Sequence, residues 1–200
     1  MIRHNVPASQ LTTMAVGGPI AKVFEVASES ELVEALQEYP DAICIGGGSN
    51  LLVADGGYDG VVIRSYTNDP SRARQAIEFS DGQVRVGAPV DWDLYVSATI
   101  NAGLQGIETT SGVPGSVGGA IVQNLGAYGQ EVSNVLTSVR VWDRSVKDHL
   151  ELSVQECQFA YRHSRFKHDA DRRYVVTSAT FRLERSSLAD VHYEDVKRLL

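Results

Sequence analysis

The chain has 200 residues, 43% apolar and 22% charged, with a formal net charge of −7 at neutral pH. That composition supports a packed core and excludes a disordered chain. The excess negative charge falls in the first hundred residues, and an acidic chain without clustered Lys and Arg is a poor nucleic-acid binder, so an anionic ligand has to be held locally.

The elements follow in order. Val23–Ala27 reads as a strand. Ser28-Glu29-Ser30-Glu31 fits a capping box ahead of a helix that places Leu32, Ala35 and Leu36 on one face and stops at Pro40. Ala42–Ile45 is a buried-type strand running into Gly46-Gly47-Gly48, and Val61–Ile63 is another, giving a β-α-β-β unit over 20–65. Ile77–Phe79 and Gln83–Val86 flank Asp81-Gly82, a hairpin signal. Asp91 is placed to cap a helix through Ile100, with Trp92, Val96 and Ile100 on one face. Thr137–Trp142 and Val175–Leu183 alternate as strands, the second with Val175, Thr177, Ala179, Phe181 and Leu183 on one face. A last helix, capped by Asp190, is expected over 191–200; it ends on Leu199-Leu200 without a C-cap, which suggests that the sequence continues. The expected class is α+β in two lobes, residues 1–66 and 67–200.

No apolar run approaches the ~20 residues that span a bilayer, and Met1–Asn5 carries no signal-like stretch, so a cytoplasmic protein is expected. Cys44 and Cys157 sit far apart in apolar segments; the sequence leaves one disulfide open, with reduced buried thiols the preferred reading, and the five histidines lack metal-ligand spacing.

Twelve of the 18 glycines lie in two windows, 46–60 and 112–129. Gly46-Gly47-Gly48-Ser49-Asn50 after a strand can turn successive N–H groups toward one point, a nest for a pyrophosphate; a tight turn gives the same pattern, and the pattern alone leaves both open. No Lys follows for a Walker A loop, and Leu51 stands where a dinucleotide fingerprint needs its third small residue. Ser111–Ala120 is a run of small residues on which a flat ligand can lie, with Ser111 and Ser116 as phosphate donors. Gln123–Gly129 offers amides to a ring edge. In Phe159–His168, Arg162, Arg165 and Lys167 are candidate clamps for a carboxylate or phosphate, against the plainer reading of a solvated basic loop; Arg172-Arg173 reads as surface.

Read together, Ile45–Leu52, Gly112–Gly118, Gln123–Gly129 and Tyr161–Lys167 resemble, in order and spacing, the UDP-N-acetylenolpyruvoylglucosamine reductase family of bacterial peptidoglycan precursor synthesis. The resemblance implies a two-lobed FAD-binding fold of the vanillyl-alcohol-oxidase type. It assigns Gly46, Gly47, Gly48, Ser49, Asn50, Leu51, Pro114, Gly115, Ser116, Gly118, Asn124, Gly126, Ala127 and Tyr128 to the cofactor. It implies Arg162 as the catalytic arginine that binds the enolpyruvyl carboxylate, with Tyr161 and Tyr193 on the substrate side. The implied reaction carries hydride from NADPH through FAD to the enolpyruvyl double bond of a UDP-sugar, in a monomer that needs no metal, nucleic acid or membrane. It also implies a serine proton donor, assisted by a glutamate, in a C-terminal domain. No residue here matches either, so FAD binding with negligible turnover is the expectation for this chain. Two alternatives stay open: an FAD-dependent oxidase on the same fold, and a non-catalytic nucleotide-binding module.

Overall fold

The computed structural model describes residues 2–167 and 172–185. The N-terminal lobe is built from β1 (Ile2–Pro7), β2 (Pro19–Val26), α1 (Glu29–Glu38), β3 (Ile43–Ile45) and β4 (Tyr58–Ser65). Its sheet runs β1-β2-β4-β3, with β1 antiparallel to β2 and the other neighbours parallel. The β-α-β-β unit gains β1 as an edge strand; only Val6 of β1 is buried, so the strand lacks the apolar alternation that would announce it. Ser28 caps α1 by accepting from Glu31 N at 3.2 Å, and the Glu31 carboxylate accepts from Ala27 N at 2.7 Å, one residue earlier than in a regular capping box.

The second lobe contains α2 (Pro70–Gln75), β5 (Ile77–Ser80), β6 (Gln83–Gly87), α3 (Trp92–Asn101), β7 (Leu104–Gln105), α4 (Val117–Gln123), β8 (Gly126–Ala127), β9 (Gln130–Glu131), α5 (Val132–Val135), β10 (Leu136–Asp143), β11 (Asp148–Ser153), β12 (Tyr174–Arg182) and β13 (Glu184–Arg185). Five of these strands make an antiparallel sheet in the order β11-β10-β12-β6-β5; β13 pairs with β7 and β8 with β9. The β5–β6 hairpin turns on Asp81 and Gly82, both in the left-handed region at φ 44 and 78, as a two-residue loop requires.

Three details depart from the sequence reading. In α3, Trp92 and Val96 are buried but Ile100 is 47% exposed, and Tyr95 and Thr99 complete the buried face instead. In β12 the alternation breaks: Val139 faces Ala179 but Val141 faces Val176, so an irregularity at Thr177 moves Val175 to the opposite face. Val117–Gln123, read as part of a small-residue loop, is helical despite two glycines. Its Ser116 N-cap and the burial of Val117, Ala120 and Ile121 outweigh their low propensity.

The turned-over face of β12 joins the lobes. Val175 and Trp142 pack into one cluster with Phe24, Leu32, Leu36 and Ile63 of the N-terminal lobe. Glu29, in the first turn of α1, meets Arg85, Thr177 and Ser178 of the large sheet. Among the described residues no helix is long and apolar enough to cross a membrane, and no group of three or more His, Cys, Asp or Glu is placed to hold a metal. Both cysteines are free thiols, Cys157 fully buried and Cys44 partly so. The C-terminal helix expected over 191–200, with Tyr193, lies outside the described residues.

Candidate functional site

A cleft of about 680 Å³ separates the lobes, within the size range of small-molecule sites. One wall is the segment from Ile43 to Leu51, which carries β3 into the first glycine window. The other comes from the second window and α4, with Arg144, Arg162, Phe166, Arg172 and Tyr174 around it.

The two glycine windows touch. A Cβ on Gly46 would stand 2.3 Å from Ser116 Oγ, so only glycine lets β3 approach α4 this closely. Gly48 has φ +77, and a Cβ there would meet the Leu11 carbonyl oxygen at 1.9 Å. Asn50 Nδ2 donates to Gln123 Oε1 at 3.1 Å, a further tie between the windows. The N–H groups of Gly47, Gly48, Ser49 and Asn50 make no hydrogen bond among the described residues. Consecutive unpaired N–H groups on a glycine-rich turn form an anion-binding concavity. The start of α4 offers no such donors. Val117 N donates to Val90 O, Gly118 N to Ala88 O and Gly119 N to Ser116 Oγ. The pyrophosphate-type donors are therefore the loop's and not the helix's.

Charge sorts the same way. The chain carries 25 acidic and 18 basic side chains, yet Arg144, Arg162 and Arg172 line the cleft and no Asp or Glu does, among the described residues. The local field favours an anion. Cys44 also lines this wall; burial pushes its thiol up to about 11, against the opposing charge and hydrogen bond of Arg144.

Of the residues expected at the cofactor, Gly46, Gly47, Gly48, Ser49, Asn50, Leu51, Pro114, Gly115, Ser116 and Gly118 line the cleft, as does Arg162. Asn124, Gly126, Ala127, Tyr128 and Tyr161 do not. Asn124 ends α4 at φ 46, and its side chain is occupied by Glu131, by the Ala160 carbonyl at 3.0 Å and by Ser133 N at 3.1 Å. Gly126 and Ala127 pair with β9. Tyr161 is 88% exposed, beside Arg162 at the tip of a turn that Ala160 and His163 close. Ser111 is not a cleft donor: its hydroxyl donates to Asp93 Oδ1 at 2.7 Å, which with Gly112 N holds that carboxyl below its usual range.

The basic segment divides. Arg162 lines the cleft, whereas Arg165 donates to Glu156 O at 3.0 Å and stacks 4.7 Å above the Tyr174 ring. Lys167 Nζ donates to Arg162 O at 3.0 Å. Arg172 and Arg173 are both exposed, as expected, but they are not idle: Arg172 lines the cleft, and Arg173 pairs at 2.6 Å with the buried Asp143. Cys44, Arg144 and Tyr174 are further cleft residues that the sequence reading missed, because their position depends on the lobes meeting.

Residues 20–146 match the FAD binding domain family. The chain belongs to that family. Its relatives include the UDP-N-acetylenolpyruvoylglucosamine reductase of Thermobifida fusca, 40% identical over 98% of this chain and 56% of that protein. The enzyme of the same name from Streptomyces avermitilis is 38% identical over 98% of this chain and 54% of that protein. The chain thus spans about half the length of these relatives. The crystal structure of UDP-N-acetylenolpyruvylglucosamine reductase from Thermus caldophilus superposes with a TM-score of 0.70 at 31% identity, over 92% of this chain and 64% of that one. An alkyldihydroxyacetonephosphate synthase, at 13% identity and TM-score 0.53, shares the fold. The α+β architecture is thus the two-lobed FAD-binding fold of the vanillyl-alcohol-oxidase type. The cleft fits that cofactor: unpaired loop N–H groups suit a pyrophosphate, a lining without carboxylates among the described residues suits its charge, and Val113, Val122 and Leu125 give apolar surface for a ring system.

Proposed function

We propose that this chain is the cofactor-holding part of a UDP-N-acetylenolpyruvoylglucosamine reductase. The complete enzyme would use NADPH and FAD to reduce the enolpyruvyl group of the UDP-sugar to the lactyl ether of UDP-N-acetylmuramate. The observation that carries this reading is the 40% identity to the Thermobifida fusca enzyme over 98% of the chain.

When bound, FAD supplies the acceptance and release of hydride. The residues of this chain have other tasks. The N–H groups of Gly47 to Asn50 hold the cofactor's pyrophosphate. Gly46 and Gly115 keep the floor of the cleft free of side chains. Arg162 binds the substrate carboxylate through its guanidinium and stabilises charge that develops beside it. Tyr161, next to it on the turn, and Tyr193 contact the sugar nucleotide. The proton that completes the reduction comes from residues that this chain does not contain, so the 200-residue protein holds FAD without turning over. It does so as a cytoplasmic monomer, with no role for nucleic acid or membrane.

The test is reconstitution. The purified chain is incubated with FAD, desalted and examined by visible absorption. A retained flavin spectrum is expected. A colourless protein with a native circular dichroism spectrum would refute the FAD assignment for this chain. Turnover of the enolpyruvyl substrate by the 200-residue protein alone would refute the division of labour.

A further inference from the structure

Arg144 has no part in the reading above, yet it crosses between the lobes at the cleft. It leaves the large sheet at the end of β10, where its own N–H donates to Arg173 O at 2.9 Å. Its Nη1 donates to the Pro40 carbonyl, and its Nη2 donates to the Ala42 carbonyl at 2.7 Å. Nη2 also stands 3.7 Å from Cys44 Sγ. The Nε–H is buried and has no hydrogen-bond partner among the described residues, where the guanidinium is held by its Nη contacts.

What Arg144 holds is otherwise weakly held. β3 is three residues long and lies at the edge of its sheet, with β4 its sole strand neighbour among the described residues. It receives the chain from Pro40–Ala42 and passes it directly to Gly46 and the unpaired N–H groups of Gly47 to Asn50. A short edge strand has few ladder bonds to fix its position. Arg144 supplies a second anchor from the other lobe, with the charge-assisted bonds of a planar fork.

We propose that Arg144 is a positioning residue: by pinning the Pro40–Cys44 segment to the large lobe, it sets where the Gly47–Asn50 donors stand and how tightly the cleft takes its cofactor. The nature of that cofactor rests on the FAD reading; the pinning itself does not. Lysine, a single point donor, cannot span both carbonyls in the same way.

The experiment compares wild type with Arg144→Met, Arg144→Lys and Leu152→Ala. Leu152 is a buried residue of β11 in the large-lobe core, so the last variant controls for lost stability alone. Two quantities are read: FAD affinity by flavin fluorescence, and the alkylation rate of Cys44 in the cofactor-free protein, resolved from Cys157 by peptide mass analysis. Arg144→Met is expected to weaken FAD and to speed Cys44 alkylation, each by about tenfold or more, with Arg144→Lys between it and wild type. Leu152→Ala is expected to lower thermal stability while leaving both readouts near wild type. Unchanged Cys44 alkylation in Arg144→Met, faster alkylation with unchanged FAD affinity, or equal changes in Leu152→Ala each overturn the proposal. If wild type itself binds no FAD, the FAD reading fails, and the Cys44 rates still decide whether Arg144 pins the segment. If Arg144→Met does not fold, Arg144→Lys against Leu152→Ala decides on the same readouts.

Discussion

At Gly46 a hydrogen in place of a methyl group decides whether the two halves of the cleft can meet. Its missing Cβ leaves room for the Ser116 hydroxyl, which is itself held as the cap of α4. Gly46→Ala is expected to cost about 1–3 kcal/mol by overpacking, and to weaken flavin retention because the windows are forced apart. Gly56 is the comparator: nothing lies within 4 Å of a Cβ placed there. Gly56→Ala is expected to stay within about 0.5 kcal/mol of wild type and to keep its flavin. Chemical denaturation and flavin absorbance after desalting read both outcomes. The glycine clusters themselves were plain in the sequence. Which glycines are constrained was not, since Gly46 and Gly56 look alike until their neighbours are known.

Capping carries much of the information that fixes the elements. Ser28, Asp91 and Ser116 each accept a backbone N–H at the start of a helix. The first two were readable from spacing; the third was hidden by glycines that lower helix propensity. Asp91 does more than cap. Its Oδ1 accepts from Leu94 N at 3.0 Å while Oδ2 accepts from Tyr66 OH at 2.8 Å, tying α3 to the segment that follows β4. Burial, with the hydrogen bond and charge of Asp91, raises the Tyr66 hydroxyl to about 12, so it stays a donor throughout the ordinary pH range. Ser28→Ala is expected to cost about 1 kcal/mol and Asp91→Ala about 2–3 kcal/mol, because the second loses a cap and leaves a phenol without its acceptor. Urea denaturation of the two variants side by side checks the order.

At the scale of the molecule, the lobes are joined by a shared apolar cluster and by the polar contacts of Glu29. Burial alone would raise the Glu29 carboxyl, but the hydrogen bond and charge of Arg85, with Thr177 and Arg140, bring it below its ordinary 4.5. The folded value thus lies under the unfolded one. This contribution is complete above about pH 4.5 and is lost as the pH falls through the folded value. Asp143, whose carboxyl Arg173 holds well below the usual carboxylate range, acts in the same direction. Acid destabilisation is therefore expected below about pH 4.5. In Glu29→Gln the slope is expected to be shallower but not abolished, and the variant to be less stable than wild type by about 1–3 kcal/mol at neutral pH. Thermal unfolding across the acid range checks both; an acid slope identical to wild type would show that Glu29 makes no linked contribution.

The sequence by itself determined the local elements whose signals are short-range: the Ser28 cap and its helix, the Asp81-Gly82 hairpin, the Asp91 cap, and the glycine windows with their family resemblance. Each depends on residues within a few positions of one another, where spacing and backbone preference act directly. The tertiary structure alone decided that the windows touch, that Val175 turns toward the smaller lobe, that Asn124 is spent on structure, and that Arg144 and Arg172 line the cleft while Arg165 does not. Those outcomes depend on how one lobe packs on the other. Such packing brings together residues about a hundred positions apart, as with Arg144 and Ala42, and no periodicity in the chain records it.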